Sequence, residues 1–124
     1  MVKCAHALLY LTSVRISPRF KLWFVGENGE HVFGLGTMRL LAEIDRLGSI
    51  SAAARELGMS YRYALERITV AEKRLSRPLV ERTRGGREGG GAKLTALGRE
   101  LLEDYQDMES SLNQLTKWSV ELSE

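Results

Sequence analysis

The stretch from Gly48 to Leu75, GSISAAARELGMSYRYALERITVAEKRL, constrains the fold more than any other part of the chain. Ala52, Ala53, Ala54, Arg55, Glu56 and Leu57 are mostly good helix formers. Ser51 is placed to cap them, because its hydroxyl can accept from the free amides of a first turn. Gly58 supplies the left-handed residue on which many helices stop. Ser60 then caps a second helix that runs to Leu75. In it Ala64, Ile68, Ala71 and Leu75 recur at the spacing of one helix face. At about 100° per residue, Arg62, Glu66, Thr69 and Lys73 fall on the opposite face, with Leu65 at its edge. That face has no apolar stripe to bury.

The three small alanines let the second helix cross the first closely. A short helix, a glycine-containing turn and a polar-faced second helix make a helix-turn-helix pattern, in which the second helix enters the DNA major groove. Two packed helices with a solvated face would share this spacing, so the rest of the chain has to discriminate.

The segment that discriminates is Arg82 to Lys93, RTRGGREGGGAK. Five glycines interleaved with Arg82, Arg84, Arg87 and Lys93 cannot build a packed element. They predict a flexible, positively charged tip between two short strands, Leu79 to Thr83 and Ala92 to Leu94. A helix-turn-helix followed by a basic two-stranded loop has the logic of a winged helix, whose amides and arginines reach phosphates or a minor groove. A nucleotide-cradling loop fails on spacing. Gly86 and Gly91 are separated correctly, but Ala92 stands where lysine is required, and from Gly85 and Gly90 the next residue is Gly91.

Upstream, Phe20, Leu22 and Phe24 alternate with Lys21, Trp23 and Val25, which predicts a strand. Asn28-Gly29 predicts a two-residue hairpin turn with positive φ at both positions, and a return strand near His31 to Phe33. Thr37 to Leu47 is the first core helix: Met38, Leu41 and Ile44 recur on one face, Thr37 caps it and Gly48 ends it. Residues 1–18 form a leader without an assigned role. Its apolar run is too short to span a bilayer and has no signal-peptide cleavage pattern.

Charge supports the same organisation. The net charge is only +2. Between Arg55 and Lys93, however, ten Lys/Arg stand against five Asp/Glu, and from Leu94 onward two stand against seven. A basic middle beside an acidic tail fits a polyanion-binding head. Cys4 is the single cysteine, so an intrachain disulfide is excluded and a cytoplasmic setting is expected. Cys4 and His6 are too few for a structural metal site. Without a metal cluster, a nucleophile–base pair or a working phosphate loop, neither an enzyme nor a cofactor is expected.

The runs GSISAAARELGMSYRYALERI and PLVERTRGGREGGGAKLTALGRELL together resemble the N-terminal DNA-binding domain of the molybdate-responsive ModE transcription regulators. That domain is itself similar to the winged-helix head of LysR-type regulators. The resemblance covers roughly Arg19 to Tyr105. It implies that Ser60, Tyr61, Arg62 and Tyr63, at the start of the recognition helix, meet DNA, and that the wing from Arg84 to Lys93 clamps its flank. Full-length members carry C-terminal oxyanion-binding domains, for which this chain has no room, so direct molybdate sensing is not expected: any sensor is a separate chain, or the protein responds to something else or to nothing.

Thr95 can cap a last helix. Leu101, Tyr105, Met108, Leu112, Leu115 and Leu122 follow a heptad seam, with Ser119 at the skipped position. Leu97 and Leu102 are left to face the core. Packing this seam against a second copy would set two recognition helices on one face of DNA and read a pseudo-palindrome; packing it within the chain, against the leader or the hairpin, is the alternative. The expectation is a mainly α fold with small β elements: a winged helix-turn-helix over 19–94, opened by a β-hairpin, and a C-terminal dimerisation helix over 95–124. The expected DNA-contacting residues are Ser51, Ser60, Tyr61, Arg62, Tyr63, Glu66, Arg82, Arg84, Arg87 and Lys93. The expected partners are double-stranded DNA and a second copy, with no membrane. A winged-helix protein-interaction module and a non-specific architectural DNA binder are the alternatives.

Overall fold

Met38, Leu40, Leu41 and Ile44 are completely buried, and the central core is built around them. The computed structural model describes residues 14–83 and 90–122. In chain order these form β1 (Val14–Ile16), β2 (Trp23–Val25), β3 (His31–Gly34), α1 (Leu35–Leu47), α2 (Ile50–Glu56), α3 (Tyr61–Leu75), β4 (Val80–Arg82), β5 (Ala92–Leu94), α4 (Ala96–Leu115) and β6 (Val120–Leu122). The strands pair as three antiparallel two-stranded ladders, β1 with β6, β2 with β3 and β4 with β5. Residues 22–107 make one compact unit; of the described residues, 14–21 join 108–122 in a second.

The larger unit is the winged helix-turn-helix. Its core joins Val32 and Phe33 of β3, the apolar face of α1, Ile50, Ala53 and Ala54 of α2, and Ala64, Ile68 and Ala71 of α3. Leu79, Val80, Ala92 and Leu94 of the wing base complete it with Leu102 and Tyr105 of α4. Each large aliphatic side chain buried there contributes about 1.5–3 kcal/mol.

Three local expectations differ from what the fold adopts. The cap of α2 is Ser49, whose Oγ accepts from Ala52 N at 3.1 Å; Ser51 sits exposed in the first turn. Starting the helix at Ile50 turns that isoleucine into the core, an apolar gain that a start after Ser51 would forfeit. Thr37 caps nothing, because β3 runs straight into α1 at Gly34 and places Thr37 within the first turn of the helix, 1% exposed.

The hairpin between β2 and β3 is also longer than two residues. Gly26 N donates to Glu30 O, and only Gly29 has positive φ, at 81°. This is a three-residue loop ending on a left-handed glycine. The register slips between Phe24–Phe33 and Val25–His31. That bulge lets the consecutive Val32 and Phe33 both face inward.

α4 closes the unit. Thr95 Oγ1 accepts from Gly98 N at 3.0 Å, so Thr95 is its cap as expected. Tyr105 is 2% exposed; its ring lies 5.9 Å from that of Phe24 and its hydroxyl donates to Leu22 O. Tyr105 is thereby committed to its own core and withdrawn from the expected intermolecular seam. Leu101 is half-buried against the same core. The helix stops at Leu115 in a turn where Trp118 N donates to Leu115 O.

In the second unit, Leu122 belongs to β6 and not to the helix. Val120-Glu121-Leu122 alternates with period two and pairs with Val14-Arg15-Ile16. The opposed pairs Val14–Leu122 and Ile16–Val120 share one ribbon face, and all four side chains remain exposed. Arg15 and Glu121 meet on the other face at 3.3 Å. Met108, Leu115 and Trp118 are exposed as well, and Leu112 is half-buried.

Candidate nucleic-acid interface

The turn between α2 and α3 sets the direction of the second helix. Gly58, with φ 71°, ends α2: its N–H donates to Arg55 O, and Met59 N donates to Ala54 O. This crossed pair of hydrogen bonds satisfies two terminal carbonyls and requires a left-handed residue at the glycine position. Ser60 Oγ then accepts from Tyr63 N at 3.0 Å, which starts α3 as the sequence predicts. Ala64, Ile68 and Ala71 face the core with at most 2% exposure. Tyr61, Arg62, Tyr63, Glu66, Thr69 and Lys73 are all exposed. The expected polar face of α3 is therefore presented outward.

The wing base is held by main-chain chemistry. The Glu72 carboxylate of α3 accepts from Leu79 N at 2.7 Å and Val80 N at 3.1 Å, which fixes where β4 begins. β4 and β5 pair Val80 with Leu94, Glu81 with Lys93 and Arg82 with Ala92. Thr83 N donates to Gly91 O, and Gly91 N donates back to Thr83 Oγ1 at 3.0 Å. Ala92 N donates to Gly48 O, tying β5 to the α1–α2 turn.

Arg82 leaves this base toward the start of α3, where its Nη1 lies 3.5 Å from Tyr61 Oη. The wing root and the recognition helix thus form one continuous polar surface. Lys93 is exposed, 3.8 Å from Glu81. Arg84 and Arg87 lie outside the described residues, as do Cys4 and His6.

Side chains of opposite sign brace the frame behind this surface. Arg99 of α4 donates to Asp45 of α1 through both terminal guanidinium nitrogens, Nη2 at 2.7 Å and Nη1 at 3.3 Å. The Asp45 hydrogen bond and charge raise the Arg99 pKa above its ordinary value. Arg74 donates to His31 O and so joins α3 to β3.

Arg67 was absent from the sequence-derived set. Its guanidinium carbon lies 5.9 Å from the centroid of the Tyr63 ring, one helical turn earlier. The signal was present as an aromatic and a cation at i and i+4.

Among the described residues, no group of three His, Cys, Asp or Glu side chains is placed to hold a metal. No described helix is long and apolar enough to cross a membrane. What the site offers is an exposed helix start bearing Tyr61, Arg62 and Tyr63, with exposed Arg82 and Lys93 on the wing base.

These features define a winged helix-turn-helix domain. Residues 35–99 match the model of the bacterial regulatory helix-turn-helix proteins of the lysR family, and the chain belongs to that family. It is similar to the molybdenum-pterin-binding protein MopB of Rhodobacter capsulatus, with 43% identity over 82 residues that make up 66% of this chain and 30% of that protein. Similarity to the molybdenum transport protein ModE of Azotobacter vinelandii is 39% over 84 residues, 64% of this chain and 31% of the relative. The chain thus spans less than a third of the length of these relatives. Among solved structures, the CbnR DNA-binding domain in complex with DNA superposes with a TM-score of 0.52 at 25% identity, covering 64% of this chain and 85% of that one. ArgP of Mycobacterium tuberculosis shares the fold, with a TM-score of 0.51 at 24% identity over 63% of this chain and 27% of its own.

Proposed function

We propose that this chain is a sequence-specific, DNA-binding transcriptional regulator that acts in the cytoplasm as a homodimer and has no catalytic role. The observation that carries the reading is the solvent-facing start of α3, with Tyr61, Arg62 and Tyr63 exposed beside Arg82 of the wing. In the major groove, Arg62 reads a base edge or positions the helix end. Arg82, Arg84, Arg87 and Lys93 meet phosphates, with Ser51 and Ser60 at the groove rim. Similarity to the ModE proteins and to a domain solved with DNA supports this reading. The matched share of those regulators limits the proposal to DNA; oxyanion sensing is not part of it.

Dimerisation is proposed through the exposed apolar side chains of Met108, Leu115, Trp118 and the β1–β6 ribbon, with half-buried Leu112. A closed two-fold pair would cover a surface that a monomer leaves in water.

The test is genome-wide binding followed by a salt titration of the best fragment. A two-fold repeated site bound with a steep salt slope is the expected result. Arg62→Ala should cost about 1–3 kcal/mol on that site and relax its specificity. One observation favours a protein-binding surface instead: Glu66 stands exposed on the proposed groove face and takes part in no ion pair among the described residues. That reading requires binding to duplex DNA to be absent even at low salt, since phosphate contacts are strongest there.

A further inference from the structure

α3 has two flanks, and only one of them faces the wing. At about 100° per residue, Tyr61, Leu65 and Glu72 fall on one side of the helix, and Tyr63, Arg67 and Arg74 on the other. The contacts agree with this division. Tyr61 lies beside Arg82 and Glu72 holds the β4 amides, whereas Arg74 holds His31 O of β3. Arg67 reaches toward the start of α1: a Cβ placed on Gly36 would lie 4.0 Å from its Nη2. No acidic residue occupies the first turn of α1, and Arg67 belongs to none of the ion pairs among the described residues. Arg67 is half-buried, and its guanidinium carbon lies 5.9 Å from the centroid of the exposed Tyr63 ring.

We propose that Tyr63 and Arg67 form a second phosphate clamp, on the flank of the recognition helix opposite the wing. The inference rests on the DNA-binding reading. A helix about 10–12 Å across fills a major groove about 12 Å wide, so its two flanks face the two strand backbones. The wing supplies cations to one backbone. On the other side of the helix Arg74 is engaged with His31 O. Arg67 is the second cation there, and the Tyr63 ring holds its guanidinium, which reduces the rotamer entropy lost when a phosphate is bound. Arg67 sits more than a full turn beyond the helix start and off the centre of the outward face. That placement favours backbone over base contact, so the clamp adds affinity on every sequence.

The test compares the full chain with Arg67→Ala, Arg67→Lys and Tyr63→Phe. Two probes are titrated across salt: the best genomic fragment and a scrambled duplex of equal length. Thermal melts establish that each variant is folded. The expected result is roughly ten-fold or greater weakening by Arg67→Ala on both probes, by analogy with a lost hydrogen bond to a charged group. The log–log salt slope should fall by about 0.9, one phosphate's worth. Arg67→Lys should restore the slope and Tyr63→Phe should leave it unchanged. An Arg67→Ala variant with wild-type affinity and slope overturns the clamp while the DNA reading stands. Weakening confined to the genomic fragment also overturns it and makes Arg67 a base reader. A wild-type chain that binds neither probe at low salt removes the reading and the clamp together.

Discussion

Two single positions illustrate how finely the fold is set. Ser49 and Ser51 are chemically identical and two residues apart, yet only Ser49 accepts an amide at the start of α2. Ser49→Ala is therefore expected to cost about 1 kcal/mol. Ser51→Ala should stay within about 0.5 kcal/mol as an exposed change. Chemical denaturation of the two variants side by side checks both values. Gly98 makes the opposite kind of demand. A Cβ there would lie 2.3 Å from Leu79 O, a main-chain atom fixed by the Glu72 anchor nearby. Gly98→Ala should destabilise by at least about 1–3 kcal/mol, the range for overpacking. If its melting temperature matches wild type, the close approach of α4 to the wing base is not a constraint.

At the scale of elements, the proposed function gives the wing and α3 separable duties. Lys93→Ala should weaken binding to all duplexes alike and lower the salt slope by about 0.9, whereas Arg62→Ala should discriminate between cognate and scrambled sequence. Parallel titrations of the two variants on both duplexes separate the roles; equal effects on all sequences from both would remove base reading from Arg62. Much of the frame that carries this proposed division was legible in the sequence. The apolar spacing of Ala64, Ile68 and Ala71 locates the inward face of α3 by itself, and glycine with arginine marks the wing. The start of α2 was less legible, because two serines competed for one role and the choice depended on where Ile50 could be buried. Arg67 was not legible for a related reason: its proposed role comes from the flank it occupies, which is defined by β3 and the wing.

At the scale of the whole molecule, the open question is how the apolar surface outside the winged unit is covered. Leu115 and Trp118 are 68% and 58% exposed, and the β1–β6 ribbon turns Val14, Ile16, Val120 and Leu122 outward. A two-stranded ladder alone is marginally stable in water, so a second copy packed on it would stabilise the ladder itself. Leu115→Glu would bury a carboxylate in such an interface. It is expected to shift the chain from dimer to monomer at micromolar concentration in sedimentation, with the winged unit still folded by circular dichroism. A wild-type chain that sediments as a monomer would refute this arrangement directly.

The local sequence determined the helix-turn-helix, its inward and outward faces, the Ser60 and Thr95 caps and the wing, because helical periodicity and glycine content act over a few residues. Tertiary structure alone decided the rest. Tyr105 fits a heptad as well as it fits a core, and the proximity of Phe24 and Leu22 O made it core. Leu122 continues the same heptad in sequence, but Val14 lies opposite it after 108 residues of chain and draws it into a strand. A pairing at such separation leaves no trace in any local window, since its free energy exists only once the intervening fold has brought the two segments together.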